Sequence, residues 1–469
     1  MRSPRRPAAV WAVALALVLC ACTSAAPSAH PPSSSAVDPP AAPSAVASGE
    51  WLGYHADSAR TGAVAGPSPT DVRVAWTAEL GGAVRGQPLV ADGRILAATE
   101  TDRVVALDPR TGRVLWSTSV GTPLTGVTAT VGCGNIDPLG ITSTMVVDPA
   151  THTLFVVGEV SESGGRVHHR LKGLDITTGA VRVSADVDPP LQDGESPLHL
   201  LQRASLALAN GRVYVSYGGH IGDCGRYHGW VVAADVTDPA RQMSFEIAPD
   251  GEGGAIWQSG GAPAVDAAGN VYVSTGNANP FPPQGGPDPK RYTESVVELS
   301  PELRPLAVYK DTTAGGDDDL STGNPVLLPD GRVFTVGKTQ TAFLLDSRDL
   351  RLLARVPGIC GSDPDGGPAY DPATDRVFVP CRGGGIQVVE LSGPRLGPRL
   401  EGADSAPIVV GSTVWALDSG ADRLAAFDAA SGNRRQSVRV GADVPVFASP
   451  SAGLGLLLVG TTDGVTAFR

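Results

Sequence analysis

The fold is decided by residues 86–116, which read GQPLVADGRILAATETDRVVALDPRTGRVLW. Two aliphatic runs flank Asp92-Gly93, a dipeptide typical of a tight hairpin turn. A third run ends at Asp108, and a second turn separates it from a fourth run that carries Trp116. The segment therefore predicts four short antiparallel strands joined by turns.

The same pattern recurs eight times along the chain. Pro88 and its eighth counterpart, Pro450, are 450 minus 88 or 362 positions apart, near 52 residues for each of seven intervals. This period suits a four-stranded blade, so the sequence predicts an all-β, eight-bladed β-propeller of four-stranded antiparallel blades. A seven-bladed ring is the alternative if the weakest copy, residues 141–183, is mispaired.

The last copy stops at its third strand, residues 465–468, and no fourth strand follows it. Upstream, Val74-Ala75-Trp76 has the same pattern as the fourth strand at 114–116. We therefore expect an N-terminal strand to complete the last blade and close the ring, which leaves few exposed strand edges.

Composition excludes some classes of protein. The chain of 469 residues contains 58 glycines and 40 prolines, which argues against long helices. Lys and Arg total 36 against 48 Asp and Glu, a net charge of −12, and a chain beginning at residue 22 would have 33 minus 48, or −15. This acidic balance argues against a nucleic-acid partner.

The first residues are typical of an export signal. Three arginines precede an apolar run at 8–19, which is too short to cross a bilayer. Residues 19–22, LCAC, resemble the bacterial lipobox, which implies a lipoprotein signal peptide at 1–21 and a lipid anchor on Cys22. The alternative is ordinary signal cleavage nearby, with Cys22 left as a free thiol.

Residues 22–50 are rich in Ala, Ser and Pro and have no apolar periodicity. Such a composition predicts a disordered tether between the lipidated cysteine and the propeller domain at 51–469. We accordingly expect an exported protein, anchored by lipid to the extracytoplasmic face of a membrane.

The turn after Leu107, Asp-Pro-Arg-Thr-Gly, with Trp116 four residues later, resembles the signature of pyrroloquinoline-quinone (PQQ)-like propeller repeats. The Asp can cap its own turn, the Gly takes a positive dihedral, and the Trp packs on the neighbouring blade. The resemblance covers residues 73–469. It includes quinoprotein alcohol dehydrogenases and also non-catalytic lipoproteins, such as the propeller that assists outer-membrane protein assembly, so it leaves the function open.

In the dehydrogenases a calcium ion and a planar quinone lie at the central axis, over a tryptophan floor. The resemblance assigns candidate roles here: Trp257 as the floor and Lys338 as the basic residue near the cofactor, Asp319 as the catalytic base, and Asn277 and Asp223 as calcium ligands. The cofactors implied are PQQ and calcium. The paired adjacent cysteines of many of these enzymes are absent, and each candidate also has a purely structural interpretation in packing, turns or surface charge.

Four further cysteines, Cys133, Cys224, Cys360 and Cys381, form an even set, which in an exported protein suggests two disulfides with three connectivities. All four lie in predicted loops at the same face of the propeller. The nearest pairs around the ring favour Cys133 with Cys224, and Cys360 with Cys381.

Two histidine patterns allow other interpretations. His220, Cys224 and His228 have the residue types of a zinc site, but no fourth ligand is near. The pair His168-His169 follows a glycine turn, and we expect it in an exposed loop.

Three functions are compatible with the sequence. The favoured one is a monomeric scaffold that binds a ligand, a cell-envelope protein or a polymer. The alternative is a PQQ- and calcium-dependent alcohol or polyol dehydrogenase. A hydrolase has the least support, because no nucleophile elbow, Walker loop or zinc-protease motif is present.

Overall fold

A computed structural model describes residues 49–67, 69–278 and 288–469. The expectations for the signal peptide, for Cys22 and for most of the tether lie outside these residues. No helix within the described ranges has the length and hydrophobicity needed to span a membrane.

Eight antiparallel sheets form the ring, and each supplies one blade. In blades 1 to 4 the strands run, from the axis outward, over Leu89–Ala91, Arg94–Thr99, Arg103–Leu107 and Val114–Ser119; Val146–Asp148, Thr153–Ser161, Val167–Asp175 and Val181–Asp186; Ala207–Ala209, Arg212–Gly219, Trp230–Asp235 and Gln242–Glu246; and Ala264–Val265, Val271–Ser274, Ser295–Leu299 and Pro305–Lys310.

Blades 5 to 8 repeat the arrangement. Their strands run over Val326–Leu327, Arg332–Val336, Thr341–Asp346 and Leu352–Pro357; Ala369–Asp371, Arg376–Cys381, Gly385–Glu390 and Arg395–Leu400; Ile408–Val410, Thr413–Asp418, Arg423–Asp428 and Arg434–Arg439; and Ser451–Gly453, Leu456–Gly460, Gly464–Phe468 and Val74–Glu79. Two blades have a short extra strand. Leu200–Leu201 is added to blade 3, and Ala63–Val64 is added to blade 7.

Helical structure in the described residues is confined to single turns. There is one α-helix, Val127–Val131, and the 3-10 turns are Pro197–His199, Gln258–Gly260 and Leu320–Thr322. The prediction of eight blades is confirmed, and the seven-bladed alternative is excluded. The weakest repeat, 141–183, forms blade 2, whose second and third strands are nine residues each and pair without a break.

The ring closes as expected. Val74–Glu79 pairs antiparallel with Gly464–Phe468, with Thr77 opposite Thr466, and so provides the fourth strand of blade 8. Backbone hydrogen bonds between Arg73 and Arg469 extend the pairing by one residue. The last blade therefore joins the two ends of the propeller domain, which removes an open sheet edge.

The recurring Asp of the third strand caps its own turn. In blade 2 the carboxylate of Asp175 accepts hydrogen bonds from the backbone N–H groups of Thr177 and Thr178 and from the Thr178 hydroxyl. Hydrogen bonds from Thr178 lower the pKa of Asp175 to about 2. The same turn recurs in blade 7 at Asp428, whose pKa is also lowered to about 2 by bonds from Ser431. The turn motif is thus held by side-chain capping.

The tryptophan of the motif packs on the next blade, as predicted. Trp116, on the outer strand of blade 1, donates from Nε1 to the carbonyl oxygen of Ile176 at 2.9 Å. A Cβ placed on Gly179, in the turn of blade 2, would lie 2.6 Å from the Trp116 ring. Trp76 and Gly112 have the same relation between blades 8 and 1. Glycine is therefore required in these turns by close approach as well as by its positive φ of 72° at Gly179.

The central channel is filled by residues 51–64, a segment we call the plug. Its backbone hydrogen-bonds to the innermost strands of blades 1, 2, 4, 5, 6 and 7, through Val90, Val147, Val265, Leu327, Tyr370 and Val409. Arg60 in the plug is 4% exposed, and its guanidinium donates to the carbonyl oxygens of Tyr54, Asp57 and Pro263. The plug ties six blades together from inside the ring.

Candidate functional site

The loops that enter the blades and the loops between second and third strands lie at one face of the ring, which we call the cavity face. They surround a cavity of about 600 Å³. Three of the predicted site residues, Trp257, Lys338 and Asp223, line it. Asp319 is 3% exposed and contacts Lys338, and Asn277 contacts Asp319. The structure thus brings all five candidates into one neighbourhood.

Lys338 is the centre of a charged cluster. Its Nζ lies 2.8 Å from Asp319 Oδ2 and 2.6 Å from Asp317 Oδ1. The other oxygen of Asp319 accepts a hydrogen bond from the backbone N–H of Asn277 at 2.8 Å. Burial raises the pKa of Asp319, and the ammonium of Lys338 opposes that rise. Although burial disfavours its charge, the two carboxylates hold the pKa of Lys338 above its ordinary value.

Trp257 forms part of the cavity wall and also packs against blade 3. The Lys338 ammonium lies 5.8 Å from the centroid of its ring, which is the distance of a cation–π contact. A Cβ on Gly218 would lie 2.4 Å from the indole, so the second strand of blade 3 approaches the ring directly. The position of Trp257 is therefore compatible with both interpretations made from the sequence, a floor residue of the cavity and a residue that packs against a blade.

The proposed calcium ligands have other partners. Asp223 accepts a hydrogen bond from the hydroxyl of Tyr227 at 2.7 Å, and burial raises its pKa, with a smaller contribution from the charge of Asp319. The amide nitrogen of Asn277 donates to the carbonyl oxygen of Ala278 at 3.2 Å. Across the residues described, no three His, Cys, Asp or Glu side chains converge so that they could hold a metal ion.

Calcium requires about six to eight oxygen ligands. Here the cation that neutralises Asp319 is the ammonium of Lys338, and the same ammonium lies over the Trp257 ring on which a quinone would stack. In this arrangement the donor set fits neither calcium nor a stacked quinone. The roles that the resemblance assigned to Asp319, Asn277 and Asp223 stay predictions.

The backbone of residues 258–259, which follow Trp257 in the floor of the cavity, is strained. Gln258 and Ser259, both buried, have positive φ values of 51° and 43°, which non-glycine residues rarely adopt. The amide oxygen and nitrogen of Gln258 are buried without a hydrogen-bond partner. Each such residue costs about 1 to 3 kcal/mol, and strain of this kind concentrates at functional sites.

A second charged pair lies across the cavity, and sequence reasoning missed it. Arg382 donates to the carboxylate of Asp365 from Nε and Nη2 and lies 3.3 Å from Asp363. Burial raises the pKa of Asp365 to about 6. The sequence held a signal for this pair, because Asp363 and Asp365 follow Cys360 in the entry loop of blade 6 and Arg382 directly follows Cys381 at the end of the second strand.

The sequence analysis did not predict two further arginines at the cavity, because neither lies in a recognisable motif. Arg85 lies 3.0 Å from Glu100 Oε1. Arg203 is 5% exposed and lines the cavity. At the rim, the side chains of Ile221 and Val446 are 53% and 51% exposed. The cavity thus combines a charged interior with apolar groups at its mouth.

The disulfides pair as expected. Cys133 is bonded to Cys224, and Cys360 to Cys381. The zinc interpretation is wrong, because Cys224 is in a disulfide. His220 has its Nε2 3.2 Å from the carbonyl oxygen of Leu198.

His228, the remaining residue of that pattern, is buried. Its Nδ1 lies 2.5 Å from Glu195 Oε1, and its Nε2 donates to the carbonyl oxygen of Gly251 at 2.8 Å. Burial opposes the charge of His228, but the Glu195 carboxylate outweighs burial and raises its pKa. The histidine therefore joins two loops of the cavity face.

A family model described as outer membrane protein assembly factor BamB matches residues 10–190 and 60–351, more than half of the chain. Comparison of the sequence with curated proteins gives no significant match.

Solved structures share the fold at low sequence identity. A quinohemoprotein alcohol dehydrogenase from Comamonas testosteroni has a TM-score of 0.70 and 17% identity over 90% of this chain and 80% of its own. The quinohemoprotein alcohol dehydrogenase ADHIIG from Pseudomonas putida HK5 has a TM-score of 0.68 and 15% identity, with the same coverage. BamB from Moraxella catarrhalis has a TM-score of 0.57 and 13% identity over 85% of this chain and 99% of its own. Enzymes and an assembly factor therefore share this architecture, and the likeness shows the fold alone.

Proposed function

The chain belongs to the PQQ-like β-propeller family of outer membrane protein assembly factor BamB, and from that premise we propose that it is an exported binding scaffold whose cavity face holds a ligand or partner. The alternative is a PQQ- and calcium-dependent alcohol or polyol dehydrogenase. Trp257, Lys338 and Asp319 lie together as that alternative requires, although the groups around them fit neither calcium nor a stacked quinone. The choice between the scaffold and the dehydrogenase depends on whether Asp319 can act as a general base.

The observation that carries the proposal is that both oxygens of Asp319 are engaged. One accepts from the backbone N–H of Asn277, and the other lies 2.8 Å from the ammonium of Lys338. Each oxygen keeps a second lone pair, but the ammonium that neutralises the carboxylate also lowers its affinity for a further proton. An Asp319 held in this way supports the position of Lys338, which favours a structural role for it over that of a general base.

The shape of the cavity face supports binding. A cavity of about 600 Å³ is of the size that takes a small molecule or the side chains of a partner. The exposed aliphatic side chains of Ile221 and Val446 stand at its rim. Together with Phe447 and Pro445 of the lining, they give the mouth of the cavity an apolar surface that a bound molecule would cover.

The position of the N-terminal residues is compatible with an anchored scaffold. The backbone N–H of Asp92 donates to Glu50, and the N–H of Leu454 donates to the carbonyl oxygen of Gly49. Both contacts are at turns between first and second strands, and in an antiparallel blade those turns lie at the face opposite the cavity. The chain therefore enters the propeller at the face opposite the cavity. The two disulfides are typical of an exported protein.

Photo-crosslinking in intact cells tests the scaffold role. A photoreactive side chain replaces Val446 at the rim, and Arg110, on the outer turn of blade 1, serves as the matched exposed control. We expect one discrete product, identified by mass spectrometry, from position 446 and none from position 110. Equal and indiscriminate products from both positions would contradict the proposal.

Titration with PQQ and calcium tests the alternative. We expect no saturable change in the absorption of the quinone or in the fluorescence of Trp257, and no dye-linked alcohol oxidation. Saturable binding together with oxidation that Asp319→Asn abolishes would establish the dehydrogenase instead.

A further inference from the structure

Arg203 is a buried cation with unused donors. Its side chain lines the cavity and is 5% exposed, and its Nη2 is buried without a hydrogen-bond partner. Within the described part of the chain, its guanidinium makes one hydrogen bond, from Nη1 to the carbonyl oxygen of Thr142 at a long 3.4 Å. Among the residues described, no carboxylate lies within ion-pair distance of it. A guanidinium has five N–H donors, and burying it unpaired is unfavourable unless a counter-charge arrives.

The guanidinium is held in place by its neighbours. A Cβ on Gly260 would lie 2.8 Å from Arg203 Nη1, so the backbone of the strained floor packs against one part of the group. The ring of Phe447 lies 5.5 Å from the guanidinium carbon, within the range of a cation–π contact. Phe447 also lines the cavity, so the group lies between the floor and an aromatic wall.

A second guanidinium adds to the positive charge. Arg85 lines the same cavity, and its Nε lies 3.0 Å from Glu100. Burial lowers the pKa of Arg203 to about 10, and the next largest contribution is repulsion by the charge of Arg85. Arg203 therefore stays protonated at neutral pH and close enough to Arg85 to interact with it. The carboxylate of Glu100 pairs directly with Arg85 and acts on Arg203 only from beyond ion-pair distance.

The other cations of the cavity are neutralised by the chain itself. Lys338 is bound by Asp317 and Asp319, and Arg382 by Asp365. Among the described residues that line the cavity, Arg203 is the cation that has no carboxylate partner. A negatively charged ligand group would therefore be attracted to the Arg203 side of the cavity.

We propose that Arg203, supported by Arg85, binds the carboxylate or phosphate group of an organic anion whose apolar part packs on Phe447 and extends towards Val446 at the rim. The planar guanidinium of arginine matches both anions, because a carboxylate and a phosphate each present two oxygens that accept a pair of parallel hydrogen bonds. The apolar part follows from the aromatic wall and the exposed aliphatic rim. This inference names the ligand class for the cavity and rests on the binding role proposed above.

Calorimetric titration of the purified chain with eight-carbon probes tests the site. Octanoate and octyl phosphate carry the two anionic groups, octanol is the neutral comparator, and inorganic phosphate tests the head group alone. We expect one or both anionic amphiphiles to bind at least tenfold more tightly than octanol and than inorganic phosphate. Binding by one anion alone identifies the source of the charge, and binding by both supports the shared chemistry.

Arg203→Met removes the charge at similar length, and Arg203→Lys keeps the charge without the fork. We expect Arg203→Met to weaken anion binding at least tenfold, Arg203→Lys to weaken it less, and Arg110→Met, an exposed control, to leave it unchanged. The anion should also raise the melting temperature of the wild-type chain and not that of Arg203→Met. Since the substitution removes an unpaired buried charge, we expect Arg203→Met to fold.

The proposal is overturned if Arg203→Met binds the anions as tightly as the wild type, or if octanol binds as tightly as octanoate. The crosslinking experiment at position 446 distinguishes this failure from failure of the binding role. A discrete product at 446 combined with no anion binding would refute the ligand class and leave the scaffold role intact.

Discussion

Arg60 donates from Nε to the carbonyl oxygen of Pro263 at 2.9 Å, across 203 positions of the sequence. The bond joins the plug, residues 51–64, to the loop that enters blade 4. The same guanidinium donates to the carbonyl oxygens of Tyr54 and Asp57. One buried side chain therefore holds the shape of the plug and attaches it to the ring.

Arg60→Met should destabilise the chain by about 2 to 4 kcal/mol, because three buried carbonyl oxygens lose their donor. Urea unfolding measures the loss, and Arg110→Met, at an exposed turn, should change the free energy of unfolding by less than about 0.5 kcal/mol. Arg60→Lys should recover little, since one ammonium cannot reach three separate acceptors. Wild-type stability for Arg60→Met would refute the role of this side chain in holding the plug.

Lys338→Met should destabilise the chain by about 2 to 4 kcal/mol at neutral pH, because Asp319 is left buried with its principal counter-charge gone. Adding Asp319→Asn should recover most of this loss, which gives a coupling free energy of about 1 to 3 kcal/mol in a double-mutant cycle. Lys310→Met is the control: Lys310 is 3.6 Å from Glu294 and more exposed, and its loss should cost less. Additive effects of the first two substitutions would show that the pair does not act as one unit.

Asp102 should make stability depend on pH. Its side chain is fully buried with both carboxylate oxygens unpartnered, and burial, with a contribution from the charge of Glu100, raises its pKa to about 8. Between about pH 4 and pH 8 the folded chain keeps a proton that the unfolded chain has lost, so the free energy of unfolding falls as pH rises through this range.

Asp102→Asn should remove that dependence. At pH 8 the variant should be more stable than the wild type by about 2 to 4 kcal/mol, and at pH 4 the two should be nearly equal. Asn tolerates the positive φ of 57° at this position. Asp71→Asn, at an exposed residue with a similar φ of 52°, is the matched control and should leave the pH profile unchanged. Parallel profiles for wild type and Asp102→Asn would contradict the assignment.

Gly179→Ala should cost more than a positive φ alone explains. Gly358 has nearly the same φ, 74° against 72°, but a Cβ there would meet no atom within 4 Å. Gly358→Ala should therefore cost about 1 kcal/mol for its backbone conformation. Gly179→Ala should cost about 1 to 3 kcal/mol more, because its Cβ would overlap the Trp116 ring. Equal losses in urea unfolding would mean that Trp116 moves aside freely.

Removing the Cys133–Cys224 bond should cost more than removing the Cys360–Cys381 bond. The bonded residues are 91 and 21 positions apart, and in the chain-entropy model the larger loop adds about 1 kcal/mol of stabilisation. Double Cys→Ala variants compared by urea unfolding measure the difference. The reverse order would show that native packing around the bonds outweighs loop entropy.

Periodic features were predictable from the sequence. The turn around Asp108 and the strand that carries Trp116 recur, and recurrence alone predicts eight blades and the closing strand at Val74–Glu79. The disulfides were predictable for the same reason, because the repeat places all four cysteines at one face. The resemblance also placed Trp257, Lys338 and Asp319 in one site. It did not predict that Lys338 forms ion pairs with both Asp317 and Asp319.

The features that the sequence did not predict depend on contacts between distant residues. Arg203 is held by Gly260 and Phe447, neither of which is near it in the chain. The plug has no repeat of its own, and its partners lie on six blades. The expectation of an exposed loop at His168-His169 was wrong: both are on the third strand of blade 2, His169 is fully buried, and both bond to Asp188.

The plug and the closing strand also constrain the order of folding. Residues 51–79 are synthesised well before Val409, which bonds to the plug, and Gly464–Phe468, which pairs with the closing strand. Blade 8 cannot form, and the plug cannot complete its contacts, until these later residues have been synthesised. Sequential folding of finished blades therefore leaves both ends unpaired until a final, cooperative step.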